Sequence, residues 1–259
     1  MKSPAPPGTF GHMTTDARPP DAADAPQVGH DHPDVTGGWL RPAVFGAMDG
    51  LVSNLALIAG VAGGTRNHAD STAVVLAGLA GLAAGAFSMA AGEYTSVASQ
   101  TEAAQREIDK ERREIIANPV AEESELAAMY VEKGLDHALA TEVARQIHAD
   151  VENAVNVHSR EELGVDPDDL PSPMVAATSS FLSFAVGAAL PVLPYLLGAG
   201  SLLPGLVVTL VALFLCGAVV TQVTSRSWWY GGLRQMLLGA AAAGLTYVFG
   251  ALVGASGIG

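Results

Sequence analysis

The sequence predicts an all-α membrane protein: five transmembrane helices, with a cytoplasmic three-helix insert between helices 2 and 3. Three observations carry that expectation. Apolar residues make up 49% of the 259-residue chain, and they gather into long blocks rather than recurring at helical or strand spacing. No Asp, Glu, Lys or Arg occurs between Met174 and Thr224, and none between Gln235 and Gly259. A hydrocarbon core of about 30 Å is crossed by about 20 apolar residues in a helix, and a buried soluble helix rarely runs so far without a charge. Finally, 18 of the 26 acidic residues lie between Ser99 and Ser172, the one long polar stretch separating two membrane blocks.

Taken in order, residues 1–37 are rich in Pro, Asp, Ala and Gly and contain no apolar run, which reads as a disordered tail without a signal-peptide core. Residues 38–98 hold the first two spans, about Trp39 to Val61 and Thr72 to Ala98. Residues 99–172 form the acidic insert. Residues 173–259 hold spans three to five, about Met174 to Leu197, Leu202 to Val223 and Leu233 to Val253. The links within the first pair and between the third and fourth spans are a few residues long, so both pairs are antiparallel hairpins. Pro191 and Pro194 remove two backbone donors from the third span and should kink or partly open it. Gly78, Gly81, Gly85, Gly250 and Gly254 place small residues on helix faces, which suits close helix packing in lipid.

Charge sets the orientation. With a cytoplasmic N-terminus, the tail, the insert, the fourth-to-fifth link and the span ends beside them hold 12 of the 13 Lys and Arg residues, and only Arg66 falls on the far side. That puts the C-terminus outside and leaves Trp228, Trp229 and Tyr230 at an interface, where such residues form belts. A cell-membrane location is the expectation. Cys216 stands alone in an apolar block, which excludes a disulfide framework and a thiolate cluster.

The insert reads as three helices: Glu102 to Ala117, stopped by Pro119; Glu122 to Lys133, ended by Gly134; and Thr141 to about Leu163, before the Asp166–Pro167 turn. Amphipathic helices of this length can pack as a small bundle.

Ionisable groups inside spans are costly and usually functional. Asp49 lies mid-span in the first helix, with Ser53 one turn on and Asn54 beside it. Glu93 lies in the second helix, and Met89, four residues earlier, shares its face. Carboxylate, amide, hydroxyl and thioether donors together suit a borderline cation such as Fe²⁺ or Mn²⁺ that must be released again. The bland alternatives are a helix–helix hydrogen bond for Asp49, packing for Met89, and a membrane-edge position for Glu93. In the insert, Glu107, Glu111 and Glu114 fall on one helical face, Glu122 and Glu125 form an i, i+3 pair, and His158–Glu162 and His148–Glu152 form i, i+4 pairs. Such faces are commonly just solvated and balanced by basic neighbours such as Lys110, Arg112 and Arg113. Carboxylates stacked on several faces nonetheless repel one another and invite a cation. The segment Gly29-His-Asp-His32 reads as incidental, and no arrangement of nucleophile and base suggests an enzyme.

These residues together resemble the vacuolar iron transporter family. The matching stretches are Phe45-Gly-Ala-Met-Asp-Gly-Leu51, Gly85-Ala-Phe-Ser-Met-Ala-Ala-Gly-Glu-Tyr94, Glu111-Arg-Arg-Glu-Ile-Ile-Ala-Asn-Pro119, Glu161-Glu-Leu-Gly-Val165 and Leu190-Pro-Val-Leu-Pro-Tyr195. Each is weak alone; their order and spacing from about Gly38 to the C-terminus make the match specific. The resemblance implies a homodimer in membrane lipid, with an ion path between the two first helices and proton-coupled export of Fe²⁺ or Mn²⁺ from the cytosol. It implies neither a prosthetic group nor a nucleic-acid partner. Asp49 and Met89 match ligands of the membrane path; Glu111, Glu114, Glu122, Glu125 and Glu162 match carboxylates of the cytoplasmic site. Plant members carry acidic residues where this chain has Pro42 and Gly81, and a methionine of the cytoplasmic site appears here as His158. Glu93 is the candidate to compensate for the missing acids. The competing expectation is a membrane-anchored metal sensor or interaction module that transports nothing.

Overall fold

The computed structural model describes residues 38–65, 71–221 and 226–256. The expected disordered tail lies outside these residues. Among them there are eight helices and no strand: α1 Leu40–Gly64, α2 Ser71–Ala117, α3 Pro119–Glu132, α4 His137–Ile147, α5 Val151–Glu161, α6 Pro173–Leu196, α7 Leu202–Val220 and α8 Trp228–Ala255. Five of them, α1, α2, α6, α7 and α8, are long and apolar enough to cross a membrane.

Helix α1 is the hub of the membrane part, packing against α2, α6, α7 and α8. Its buried residues Leu55, Ile58 and Ala59 meet Val74 of α2, Val192 and Tyr195 of α6 and Ala243 of α8. Helix approach is close because small residues line it. A Cβ at Gly250 of α8 would overlap the carbonyl oxygen of Gly60 in α1, and one at Gly187 of α6 would overlap that of Ala47. Large apolar side chains point outward instead, among them Leu76, Phe87, Leu182, Val186, Leu245 and Phe249. An outward apolar surface of this kind suits lipid, where apolar contact costs nothing and small residues drive association.

Two expectations about element boundaries are corrected. The second span and the first insert helix are one helix of 47 residues. At 1.5 Å per residue it is about 70 Å long, more than twice the hydrocarbon thickness. Composition changes at Ala98, but Ser99-Gln100-Thr101 contains no breaker, so the helix continues and carries its charged half beyond the apolar block. Conversely, the single helix expected from Thr141 to Leu163 is broken into α4 and α5. Asp150, in extended conformation, accepts a hydrogen bond from the Asn153 backbone N–H at 2.9 Å and so starts a new helix. Pro119 and Gly134 punctuate the chain as expected, the latter with φ of +100°. Pro191 and Pro194 lie inside α6, which runs unbroken past both.

The insert has its own core. Ile108 and Ile115 on the α2 extension pack against Ala154 and Val155 of α5, while Leu126 and Ala127 of α3 pack against Ala144 of α4. Both clusters rest on the amphipathic patterns of these short helices.

Candidate functional site

The first site lies inside the insert, where the α2 extension, α3 and α5 meet. Glu111 comes from α2, Glu122 from the first turn of α3 and His158 from α5, and one ligand atom of each falls within 4.8 Å of the others. Pro119 makes this possible: it ends α2 two residues earlier and begins α3 at once, folding Glu122 back toward Glu111. The His158 side chain is fully buried and that of Glu111 nearly so. Glu111 Oε1 stands 3.0 Å from His158 Nδ1, yet the two do not form a hydrogen bond, and neither atom has a hydrogen-bond partner among the described residues. Glu162 Oε2 lies 3.9 Å from the same nitrogen.

Electrostatics at this point are unfavourable without a cation. Burial pushes the Glu111 carboxyl up to about 7, and the nearby carboxylates Glu162, Glu122, Glu114 and Glu125 push it the same way. Glu122 and Glu162 are raised too, first by burial and then by Glu125. Burial also draws His158 down to about 4, with His148 adding to the shift, so the ring is neutral near pH 7. Two unpartnered buried atoms and several crowded carboxylates make a set of oxygen and nitrogen donors that a divalent transition ion would satisfy.

The second site is a cavity of ≈ 250 Å³ in the membrane part, lined by Asp49, Ser53, Asn54, Gly81, Ser88 and Met89 together with Leu57, Gly85 and Phe184. Ser53 Oγ donates to the Asp49 backbone carbonyl at 2.6 Å. Asn54 is buried, and its Nδ2 donates to Gly78 O on α2 at 3.1 Å and to Ala188 O on α6 at 2.6 Å. Those two bonds fix the amide orientation and leave Oδ1 without a partner among the described residues. A Cβ added at Gly81 would lie 2.7 Å from that oxygen. The Asn54 amide therefore fills the space beside Gly81, the position at which the resemblance points to a missing acid.

Not every residue singled out from sequence joins these groups. Glu93 is half-buried and does not line the membrane cavity. Glu107 faces a different surface hollow beside Leu163 and Val165. Glu114 is 3.7 Å from Lys110 Nζ and Glu125 is exposed, so both sit at the rim of the insert site. The expected His148–Glu152 pair is replaced: Glu152 bonds Arg112, and His148 Nε2 lies 3.0 Å from His158 Nε2. Sequence reasoning missed that histidine contact. The Asp150-x-x-Asn153 capping pattern, which breaks the helix between the two histidines, is the signal that would have pointed to it.

Comparison with known proteins agrees with the architecture. A family model described as "VIT family" matches residues 40–251. "Vacuolar iron transporter" of Acanthamoeba castellanii is 38% identical over 222 residues, covering 84% of this chain and 79% of that protein. "Vacuolar iron transporter 1" of Oryza sativa subsp. japonica is 31% identical over 224 residues, covering 84% and 88%, and the Arabidopsis thaliana protein of that name is 28% identical over 220 residues, covering 84% and 87%. With five membrane-length helices in place and the match running from α1 into α8, this chain is a multi-pass membrane protein that belongs to the VIT family.

Proposed function

We propose that this chain carries Fe²⁺ or Mn²⁺ out of the cytosol in exchange for protons, as a homodimer of five-span subunits. The membrane cavity carries the reading: a carboxylate, an orphaned amide oxygen, two hydroxyls and a thioether converge in spans otherwise almost free of charge. An ionisable group at such depth marks an ion or proton path by default. Asp49 and Met89 are the proposed ligands, with Asn54 and Ser53 completing the oxygen set, and Asp49 is the group that can exchange a metal for a proton. Glu93, a turn beyond Met89, is proposed to relay protons at the cavity's edge rather than to bind the ion.

The insert is proposed to collect metal before it enters the path. Glu111, Glu122 and His158 form its centre, with Glu162 close by and Glu114, Glu125 and Glu107 as outer carboxylates. Ser53 and Ser88 are exposed, so the membrane cavity opens at the protein surface, and a second copy set against α1 and α2 would close it. The distribution of Lys and Arg supports an insert on the cytosolic face. The relatives carry "vacuolar" in their names, which gives no support to the cell-membrane expectation, and the proposal is confined to sidedness.

Flux of Fe²⁺ and Mn²⁺ into liposomes holding the purified protein, under imposed pH gradients, tests the reading. Metal movement that follows the gradient and is lost in Asp49→Ala is the expected result. An Asp49→Ala protein as active as the parent would remove the proposed path. Metal binding with no flux in the parent would favour the anchored-sensor reading.

A further inference from the structure

The contact between His148 and His158 assigns a role to a residue outside the proposed ligand set. His148 caps the C-terminus of α4, and its Nε2 faces Nε2 of the buried His158 at 3.0 Å, with the rings 78° apart in plane. On one straight helix these residues, 10 positions apart, would stand about 15 Å apart along the axis. The break capped by Asp150 brings them together.

We propose that His148 is a positioning residue for metal capture: it accepts the Nε2–H of His158 and so holds His158 in the tautomer whose Nδ1 lone pair is free for the ion. This rests on the reading of the insert as a metal site. The two tautomers of His158 are not equivalent here. A proton on Nε2 has His148 as acceptor. A proton on Nδ1 has none, because Glu111 Oε1, although 3.0 Å away, is not placed to accept a hydrogen bond from it. A buried N–H without a partner is the costlier arrangement, so the pair settles with the proton between the two Nε2 atoms. Nδ1 is then a bare donor 3.0 Å from Glu111 Oε1 and 3.9 Å from Glu162 Oε2, in the group that Glu122 completes. Histidine ligands of metals characteristically donate the other ring N–H to an acceptor, which fixes both tautomer and ring direction. Here the acceptor is a second histidine. His148 is free for this because Glu152, its neighbour one turn on, is engaged with Arg112.

The test uses the full chain in detergent, in an Asp49→Ala background so that the membrane cavity adds no signal. Mn²⁺ affinity is measured by calorimetry and the ligand field of bound Co²⁺ by visible absorption. His148→Phe keeps a ring but removes the acceptor; His148→Gln restores one through its amide oxygen. The expected result is a 10- to 100-fold loss of Mn²⁺ affinity and an altered Co²⁺ spectrum in His148→Phe, with most of both recovered in His148→Gln. Thermal unfolding of the metal-free variants, unchanged from the parent, excludes a folding defect as the cause. A site lost in Glu122→Gln but intact in His148→Phe overturns the role of His148 alone. Equal losses in His148→Phe and His148→Gln also overturn it, since packing then suffices. Equal affinity in parent and Glu122→Gln overturns the metal-site reading itself.

Discussion

Glu111 Oε1 and His158 Nδ1 stand 3.0 Å apart in the core of the insert, each without a hydrogen-bond partner among the described residues. Such a pair is costly to bury unless something positive lies between the two atoms. Replacing the carboxylate by an amide, Glu111→Gln, removes an anionic oxygen at the centre of the site. Mn²⁺ affinity of the purified protein should fall by about tenfold or more, since each 1.4 kcal/mol lost is a factor of ten. Calorimetric titration of parent and variant measures this, and unchanged affinity would exclude Glu111 as a ligand.

The same carboxyl sets a pH dependence. Glu111 holds its proton up to about 7, and a metal must displace it, so Mn²⁺ affinity should rise with pH through that value and level off above it. His158, drawn down to about 4, stays neutral throughout and adds nothing to the slope. Metal-free stability runs the other way. A carboxyl whose folded pKa is raised contributes stability that is full below its ordinary value near 4.5 and is lost as pH rises through about 7. His158 opposes this below its ordinary 6.5, because its folded pKa is depressed, so the clean window lies between about pH 6.5 and 8. There the metal-free Tm should fall with rising pH in the parent and stay flatter in Glu111→Gln.

Asn54 ties three membrane helices together through Gly78 O and Ala188 O. Asn54→Leu strips both carbonyls of that donor and removes Oδ1 from the cavity. Each carbonyl keeps its own helical donor, so the loss in stability is about 0.5–1.5 kcal/mol for each Asn54 bond removed. A lowered Tm in detergent, together with reduced metal flux, is the expected outcome; a parent-like Tm would mean the two carbonyls find other donors.

Gly250 should tolerate no side chain. Its Cβ would run into the Gly60 carbonyl oxygen, and neither backbone can give way without moving a whole helix. Gly250→Val is expected to cost at least the roughly 1–3 kcal/mol typical of overpacking and to broaden the size-exclusion profile. Gly244→Val on the same helix, with nothing within 4 Å, should leave both measurements unchanged.

Asp150 caps α5 and sets the bend that joins the two histidines. Asp150→Ala should lower stability by about 1 kcal/mol, the usual loss for such a cap. Mn²⁺ affinity should fall with it. Normal affinity at lowered stability would separate the cap from the metal site.

Much of the membrane part was legible because one physical rule governs it. An apolar run of membrane length that is almost free of charge has no stable alternative in lipid, so the five candidate spans follow from composition. Asp49, Asn54 and Met89 were also legible as outliers, being polar or polarisable groups in apolar helices, and the structure sets all three around one cavity. Glu93 shares the Met89 face but lies a turn too far along α2 to line it, a distance that helical periodicity alone does not resolve. In the insert, residue type pointed to carboxylates without saying which of them converge. Glu107 and Glu111 share a helical face, yet one is buried against α3 and α5 while the other borders a separate hollow.

By itself, the amino-acid sequence determined that this is a multi-pass membrane protein with five helices of membrane-spanning length among the described residues and an acidic helical insert, because the solvent preference of long apolar blocks is a local property. The continuity of α2 past its apolar block also has a local cause, the absence of a breaker at Ser99-Gln100-Thr101. Tertiary structure, by contrast, decided that the turn at Asp150 sets His148 against His158. It also decided which few of the acidic residues surround Glu111. Those outcomes depend on how helices turn and pack against one another over long stretches of chain, and spacing along one helix does not contain that information.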